Sequence, residues 1–302
     1  MMIPTFVMMC GLPGSGKSVK AQEIAERCDA TIFSSDALRE EMFGDVNHQT
    51  DNTKLFEELH RRIKDCLKDG RCAIYDATNI SYKRRMAFLA ELKRIPCEKI
   101  CVIMATPYEE CLKRNAERER NVPEHVIEKM YRQFTIPYWF EGWNDIQIEY
   151  GEFSGCYDCP SFFYEFDARD YDQRNSHHTL TLGKHCEEVA TSLFGDRNKL
   201  ELIFAGMIHD CGKPFCATNV NKKGEVTEEN HYYDHQNVGG YMALFYDYEN
   251  LCHPLDVAIL VNLHMQPYFN KEEKTKEKYK NLWGEALYED VMRLHAADEA
   301  AH

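Results

Sequence analysis

The chain has 302 residues, 44% hydrophobic and 28% charged, a composition typical of a globular protein long enough for two domains. The net charge of −14 is uneven, because residues 1–150 hold 22 Lys and Arg against 24 Asp and Glu, whereas residues 151–302 hold 14 against 26. The acidic second half excludes a long polyanion-binding surface there, although a strand end can still enter a pocket.

No segment predicts export or a membrane partner. The apolar N-terminus lacks a basic region and a small-residue cleavage site, and no apolar run approaches the roughly 18 residues that span a bilayer. The 13 cysteines are scattered, so we expect reduced thiols in a cytoplasmic protein. Cys156 and Cys159 form a single C-x-x-C, which is a weak zinc signal without a second pair.

The first motif follows an apolar run over residues 3–10 that predicts a buried strand. Residues 11–18 read GLPGSGKS and fit G-x-x-x-x-G-K-[ST], and a helical pattern follows. Strand, glycine-rich loop and helix together predict a site for ATP and Mg²⁺. Backbone N–H groups would surround the phosphates, Lys17 would reach the β- and γ-phosphates, and Ser18 would hold Mg²⁺. The predicted nucleotide-binding residues of the loop are Gly11, Gly14, Ser15, Gly16, Lys17 and Ser18.

Short apolar or β-branched runs recur at residues 30–34, 71–76, 99–106 and 146–150, with helical periodicity between them. This alternation predicts an α/β domain over residues 1–150, with a parallel sheet flanked by helices. Ligands of such sheets bind beyond the carboxyl ends of the strands, so polar residues at these ends are candidates for the site.

Two of the predicted strands end in an acidic residue. Asp36 follows the second strand with Arg39 about one helical turn further on, which can supply a base for an acceptor hydroxyl and a cation for a neighbouring phosphate. The alternative is an aspartate that caps a helix beside an exposed arginine. Asp76 ends the third strand, where it can bind Mg²⁺ through water or accept a hydrogen bond from Ser18; a plain turn is the alternative.

Two basic segments follow. Residues 83–85, Lys-Arg-Arg, form either a solvated helix face or a basic strip near the acceptor. Residues 113–123 predict a mobile lid whose arginines neutralise the transferring phosphoryl group, with Arg118 and Arg120 as candidates and Arg114 as a third. Since two glutamates interleave, an exposed helix with salt bridges is the other interpretation.

The glycine loop, the Ser-Asp-x-x-Arg segment, Asp-Ala-Thr-Asn and Arg-Asn-Val-Pro together resemble the 5′-OH polynucleotide kinase family over roughly residues 1–150. This family is the kinase module of nucleic-acid end-healing enzymes. The Asp36 and Arg39 pair favours a polynucleotide acceptor, although looser forms occur in small-molecule kinases. The resemblance implies ATP and Mg²⁺ at Lys17 and Ser18, a 5′-hydroxyl activated by Asp36, an adjacent phosphate on Arg39, phosphoryl stabilisation by Arg118, and nucleotide binding by Arg120.

Residues 151–174 are typical of a linker, and the pattern becomes helical from residue 175. Histidines and aspartates then recur in helical surroundings in the order H…HD…H…H…D, which predicts a metal centre. This order resembles the HD phosphohydrolase superfamily, an all-helical metal-dependent fold, over roughly residues 175–302. The resemblance implies one metal on His185, His209, Asp210 and Asp298, with His209 and Asp210 as catalytic residues, and a second metal or a phosphate contact at His235 and His264.

Imidazole and carboxylate ligands suit Mn²⁺, Ni²⁺, Co²⁺ or Fe at one or two positions. Lys213 can offset substrate charge or simply be exposed, and His231 is a candidate to support the ligands or a solvent-exposed residue. A kinase and a phosphohydrolase on one chain predict healing of the two ends of a broken strand, RNA rather than DNA, with a ligase acting afterwards. The alternatives are a small-molecule kinase fused to a nucleotidase, and a hydrolase switched by ATP.

Overall fold

The structure is a computed structural model that describes residues 3–48, 50–118, 120–150, 157–158, 168–176, 179–195, 199–248, 250–269 and 272–301. The chain divides into two compact units, Met1–Met130 with Pro137–Phe153, and Tyr131–Ile136 with Ser154–His302. Cys156 and Cys159 lie outside the described residues, as does most of the predicted linker, so the predicted domain boundaries stay predictions. None of the helices in the described ranges combines the length and hydrophobicity that crossing a bilayer requires.

The first unit is built on a parallel sheet in the order β2-β3-β1-β4-β5. Its strands are β1 Thr5–Cys10, β2 Thr31–Ser34, β3 Ala73–Asp76, β4 Glu98–Met104 and β5 Asp145–Glu149. The helices that follow these strands are α1 Lys17–Cys28, α2 Ser35–Phe43, α3 Asn52–Lys68, α4 Tyr82–Glu91, α5 Tyr108–Ala116 and α6 Glu124–Arg132.

Helices cover both faces of this sheet, which is why the central strand β1 reads as an unbroken apolar run. Val7 and Met9 lie in one core cluster with Ala21 of α1. Phe6 points to the opposite face, where its ring contacts Phe88 of α4 with centroids 5.4 Å apart. The predicted α/β domain with a parallel sheet and flanking helices is therefore confirmed for the first unit.

One arginine of the Lys-Arg-Arg segment is part of the core. Arg85 and Glu141 are both fully buried, and the guanidinium donates from Nε and Nη2 to the two carboxylate oxygens at 2.9 and 2.7 Å. Glu141 also accepts hydrogen bonds from the backbone N of Tyr138 at 3.0 Å and from Trp143 Nε1 at 3.1 Å. Both interpretations of Arg85, a solvated face and a basic strip, are wrong, because its charge is neutralised inside the domain.

The second unit is mainly helical. Its described helices are α7 Leu182–Leu193, α8 Leu200–Ile208, α9 Lys213–Cys216, α10 His235–Met242, α11 Pro254–Leu263, α12 Gln266–Phe269, α13 Glu273–Trp283 and α14 Glu285–Ala300. Helix α11 is apolar on all sides and buried from Leu255 to Leu263 except at Asp256, as expected of a helix at the centre of a core.

Two short ribbons interrupt the helices. Strand β7 Thr218–Val220 pairs antiparallel with β8 Val226–His231, and β6 Tyr157–Asp158 pairs with β9 Tyr246–Asp247. The expectation of an all-helical second half is wrong at these segments. The β7–β8 turn has a local cause: Asn221 Oδ1 accepts hydrogen bonds from the backbone N atoms of Lys223 and Glu225 at 2.9 and 3.0 Å.

Candidate functional site

The glycine loop turns at the carboxyl end of β1 against the start of α5. Gly14 and Gly16 have φ of +81° and +90°, a region that residues with a side chain rarely adopt. A Cβ on Gly14 would lie 2.3 Å from the carbonyl oxygen of Cys111, so no side chain fits there. The loop therefore has the backbone of a phosphate site, followed directly by the N-terminus of α1.

The two polar side chains at the end of the loop are held in place. Lys17 Nζ donates to the carbonyl oxygen of Leu12 at 2.7 Å, and Ser18 Oγ donates to Asp76 Oδ2 at 2.8 Å. Burial lowers the pKa of Lys17, a shift that Asp76 opposes and the charge of Arg118 assists. Ser18 and Asp76 thus form the hydrogen-bonded pair predicted for a Mg²⁺ site, and the plain-turn alternative for Asp76 is wrong.

Asp36 and Arg39 meet on helix α2. Arg39 Nη1 donates to Asp36 Oδ1 at 3.0 Å, and Nη2 donates to Asn52 Oδ1 at 3.0 Å. Ser34 caps the helix by accepting from the backbone N of Ala37, and Arg39 is only 5% exposed. The alternative of a capping aspartate beside an exposed arginine is therefore wrong.

The predicted lid begins where α5 ends. The side chain of Asn115 donates to the carbonyl oxygen of Val122 at 2.8 Å and accepts from its backbone N at 2.9 Å, so the intervening segment forms a closed loop. Arg118 is exposed on this loop. Arg114 lies within α5 and pairs with Glu110, so the interpretation as a salt-bridged helix applies to Arg114 and not to the arginines beyond it.

Arg120, predicted to bind the nucleotide, contacts helix α2 and the segment after it. Its Nη1 is 2.9 Å from Asp36 Oδ2, and its Nε donates to Asn47 Oδ1 at 3.0 Å. These contacts join it to the side chain predicted to activate the acceptor and to the segment that precedes α3.

The second unit brings four histidines together around one carboxylate. In each, Nδ1 lies 2.7–2.9 Å from a backbone carbonyl oxygen: Ala301 for His185, Gly206 for His209, Tyr232 for His235 and Val261 for His264. A carbonyl only accepts, so Nδ1 carries a proton, and in the neutral imidazole Nε2 is the nitrogen that can bind a metal ion. Metal-binding histidines are oriented in this way.

The Nε2 atoms of the four histidines point at Asp210 in two pairs. His185 and His209 approach Oδ2 at 3.6 and 3.4 Å, whereas His235 and His264 approach Oδ1 at 3.1 and 3.7 Å. Within each pair the two Nε2 atoms are 3.2 Å apart. Unprotonated nitrogens this close repel unless a cation lies between them, so the donor set fits two metal ions that share Asp210.

Asp298 completes the first pair. Its Oδ1 is 3.0 Å from His185 Nε2 and 3.5 Å from His209 Nε2, which gives this position two imidazoles and two carboxylates. Burial would raise the pKa of Asp210, but the charge of Lys213 holds it well below its usual value. The structure thus brings together all six predicted ligands, His185, His209, Asp210, His235, His264 and Asp298, on buried side chains that suit Mn²⁺, Fe, Co²⁺ or Ni²⁺.

The structure also places two further candidates of the second unit, Lys213 and His231. Lys213 is 4% exposed, with Nζ 2.6 Å from Asp210 Oδ2 and 2.8 Å from Gln173 Oε1, so the exposed-lysine alternative is wrong. His231 hydrogen-bonds to Thr227 and stacks on Tyr233 in the β7–β8 region.

Sequence reasoning missed Tyr268. Its hydroxyl donates to Asp298 Oδ2 at 2.9 Å, the oxygen that does not face the histidines. The only available signal was its spacing, four residues after His264, which places two side chains near each other on helical backbone.

We expect Tyr268→Phe to weaken metal binding about 10- to 100-fold, because Asp298 loses the hydrogen bond that orients it. Titration of the metal-free chain with Mn²⁺, followed by calorimetry, measures this change. Tyr288→Phe is the matched control, since Tyr288 is a half-buried tyrosine of α14 whose ring centroid lies 6.2 Å from that of Trp283. Equal affinities for the two variants would contradict a positioning role for Tyr268.

Residues 6–137 match the protein-family model described as an AAA domain. The match begins in β1 and includes the glycine loop, Asp36, Asp76 and the lid. It ends before His185, so the histidine cluster lies outside the matched region.

Individual relatives cover only part of the chain. It is 26% identical over 150 residues to the L-seryl-tRNA(Sec) kinase of Methanococcus maripaludis, a match that covers 47% of this chain and 58% of that protein. Among solved structures it is similar to the Pnkp1/Rnl/Hen1 RNA repair complex, with 23% identity, a TM-score of 0.39 and 44% of each chain covered. It is also similar to APS kinase CysC of Mycobacterium tuberculosis, with 16% identity, a TM-score of 0.39, and 50% and 92% coverage.

Proposed function

We propose that this chain is a bifunctional nucleic-acid end-healing enzyme that acts on RNA. The first unit transfers a phosphoryl group from ATP to a 5′-hydroxyl, and the second hydrolyses a 2′,3′-cyclic or terminal phosphate. The observation that carries the proposal is the shared carboxylate of Asp210, which unites four histidines in a chain that also has a complete phosphate loop.

The kinase half follows from the side chains at the carboxyl ends of β1, β2 and β3. The loop N–H groups and Lys17 bind the triphosphate, and Ser18, oriented by Asp76 at 2.8 Å, would hold Mg²⁺. Asp36 takes the proton of the attacking hydroxyl. The hydroxyl oxygen bonds to the γ-phosphorus, and ADP leaves. Arg118, on the lid, stabilises the charge of the transferring group.

The hydrolase half follows from the buried histidines. Two divalent ions, bound by the residues of the two pairs, would neutralise phosphate oxygens and make a water molecule more acidic. The protein's own contribution is orientation: the four backbone carbonyls hold every imidazole with Nε2 inward. Lys213, 2.6 Å from Asp210, adds a positive charge on the side of the first pair, where it can contact a substrate phosphate.

A phosphate-adding and a phosphate-removing reaction on one group would be futile. They are productive together when they act on opposite ends of a break, where RNA cleavage leaves a 5′-hydroxyl and a cyclic phosphate. The similarity to a kinase named for L-seryl-tRNA(Sec) supports an acceptor carried by RNA. A ligase that joins the healed ends is the expected partner, and the proposed location is the cytoplasm.

One observation favours a second candidate. Residues 1–150 have no excess of basic over acidic residues, which suits a small-molecule kinase fused to a nucleotidase. Phosphorylation of a free nucleoside as efficiently as of a 5′-hydroxyl oligonucleotide would favour this candidate over end healing.

The test uses an RNA that carries a 5′-hydroxyl and a 2′,3′-cyclic phosphate. The full chain is incubated with ATP, Mg²⁺ and, in separate reactions, Mn²⁺, Ni²⁺, Co²⁺ or Fe²⁺, and both ends are analysed. End healing predicts an ATP-dependent gain of phosphate at the 5′ end and an ATP-independent change at the 3′ end. An RNA unchanged at both ends with every metal would contradict the proposal.

We expect Lys17→Ala to lower 5′ phosphorylation by about 10²- to 10³-fold, because the transferred charge loses its main cation. Hydrolysis of the 3′ phosphate by the same variant should not change, which shows that the chain is folded. Lys20→Ala is the matched control, since this lysine of α1 pairs with Glu23 and Glu149 and not with the loop. Full phosphorylation by Lys17→Ala would contradict the assignment of the loop.

A further inference from the structure

A buried glutamine of the second unit contacts the lysine that lies beside the histidine cluster. Gln173 is 1% exposed, and its side-chain oxygen Oε1 accepts a hydrogen bond from Lys213 Nζ at 2.8 Å. Its Nε2 donates to the carbonyl oxygen of Leu180 at 3.2 Å. A carbonyl oxygen only accepts, so the amide nitrogen must face Leu180 and the amide oxygen must face Lys213. In the sequence, Gln173 lies in the predicted linker, apart from both predicted sites.

Tyr232 joins the segment around Gln173 to the histidine cluster. Its hydroxyl donates to the carbonyl oxygen of Gln173, and its own carbonyl oxygen lies 2.7 Å from Nδ1 of His235. Two residues after Gln173, the side chain of Asn175 donates to the carbonyl oxygen of Asn230 in β8 at 2.9 Å. The backbone that carries Gln173 is thus tied to the same part of the fold as a predicted metal ligand. A side chain on such a backbone can hold a partner in one place.

Lys213 is a flexible side chain whose charge needs such a restraint. Its Nζ lies 2.6 Å from Asp210 Oδ2, 2.8 Å from Gln173 Oε1 and 5.5 Å from the ring centroid of Tyr232. A lysine ammonium ends a four-carbon stem and can donate in several directions. The carboxylate of Asp210 attracts it most strongly, and the amide of Gln173 adds a second acceptor in a fixed direction. The two acceptors together define where the positive charge lies.

The neutrality of the amide matters for an anionic ligand. An amide oxygen accepts from Lys213 without adding a negative charge next to it. A carboxylate in the same place would cancel the ammonium charge and repel a phosphate. Lysine binds phosphate as a point charge, so the strength of that attraction depends on the position of Nζ.

We propose that Gln173 is a positioning residue of the hydrolase site, which fixes the ammonium of Lys213 where it contacts the phosphate of the substrate. The inference rests on the proposed hydrolase function and adds to it a residue from the segment that precedes the helical part of the unit. Gln173 acts on the phosphate only through Lys213. Its contribution should therefore vanish when Lys213 is replaced, whereas a general loss of folding would persist.

The test is a double-substitution cycle on phosphate binding. Inorganic phosphate is titrated by calorimetry into the full chain loaded with Mn²⁺, and Mg²⁺ with the non-hydrolysable ATP analogue AMPPNP fills the phosphate loop throughout. We expect Lys213→Met to weaken phosphate binding about 10- to 100-fold, the effect of one charge-assisted hydrogen bond. Gln173→Met, which keeps the volume but removes the amide, should weaken it about 5- to 10-fold. Adding Gln173→Met to Lys213→Met should change the affinity by less than about twofold.

Three further measurements separate positioning from folding. The Mn²⁺ content of Gln173→Met should equal that of the wild type, because backbone carbonyls orient the histidines and the substitution leaves them in place. Asn175→Ala is the matched control, since it removes a hydrogen bond of the same segment and should retain the phosphate affinity. Gln173→Asn keeps an amide but draws its oxygen back by one methylene, so it should lose affinity in the same direction. It provides the same cycle if Gln173→Met does not fold.

Three results would overturn the inference: a wild type that does not bind phosphate, glutamine variants with unchanged affinity, or an equal loss of affinity with and without Lys213. Hydrolysis of the 2′,3′-cyclic RNA end is measured separately on the same proteins. A loss of phosphate affinity that depends on Lys213, in a chain that hydrolyses no RNA end, would support the role of Gln173 and contradict the hydrolase reaction. Hydrolysis by a chain whose two substitutions act independently would do the reverse.

Discussion

Replacing Asp210 by asparagine is expected to remove both metal ions and to abolish phosphate hydrolysis. The two oxygens of Asp210 face different histidine pairs, at 3.4 and 3.6 Å for Oδ2 and at 3.1 and 3.7 Å for Oδ1. Asparagine keeps the shape but offers one neutral oxygen and one amide that cannot be a ligand. One pair thus loses the oxygen of Asp210 that faces it, and both pairs lose the negative charge of Asp210, while Asp298 still faces the first pair. Elemental analysis after dialysis should fall from about two ions per chain towards none.

The control for this variant is another aspartate, Asp234, which lies just before helix α10. Asp234 is exposed, precedes His235, and has a φ of +66°, a conformation that asparagine also tolerates. Asp234→Asn should keep the metal content and the hydrolase activity of the wild type. Kinase activity should be unchanged in both variants. An Asp210→Asn chain that keeps both ions and hydrolyses the phosphate would contradict the shared-carboxylate site.

The residues of the histidine cluster could be selected from the sequence because they lie in or beside helical patterns. His209 follows the apolar helix α8, and His264 follows the apolar helix α11, so each histidine occupies a helix end that the sequence already marks. The way in which the two oxygens of Asp210 are shared between the two histidine pairs could not be predicted. Which oxygen faces which pair depends on how four helices converge, and no local pattern encodes that packing.

In the kinase half, too, the sequence predicts local motifs but not contacts between distant segments. The glycine loop and Asp36 are local features, and the structure places them at the carboxyl ends of β1 and β2, which lie on either side of β3. The lid pattern predicts that Arg120 binds the nucleotide, because lid arginines neutralise the transferring phosphate. Its contact with Asp36, 84 positions earlier, depends on the path of the loop that Asn115 and Val122 close.

The burial of Arg85 could not be predicted for a related reason. A run of three basic residues at a helix start is typical of a solvated surface, and Lys83 and Arg84 are indeed exposed. The partner that draws Arg85 into the core, Glu141, lies 56 positions away. Nothing in the segment itself distinguishes the third cation from the other two.

We expect Arg85→Met to lower the free energy of unfolding by about 3–5 kcal/mol, among the largest effects of any single change in this domain. Methionine fills the space of the arginine stem, so the cost arises mainly from the carboxylate of Glu141, which stays buried with two neutral donors, Tyr138 N and Trp143 Nε1. Urea unfolding of the full chain, followed by circular dichroism, measures the change. Arg84→Met, on the exposed neighbour, should shift the transition by less than about 0.5 kcal/mol.

A second substitution separates the buried charge from the lost packing. In Arg85→Met with Glu141→Gln, the carboxylate is gone but one oxygen remains to accept from Tyr138, so the double variant should be more stable than Arg85→Met alone by at least about 1 kcal/mol. Glu141→Gln by itself should be strongly destabilised, because it leaves the guanidinium of Arg85 buried without a counter-charge. Additive losses in the double variant would mean that the two side chains stabilise the domain independently. The buried pair would then not be the link between α4 and the segment that leads into β5.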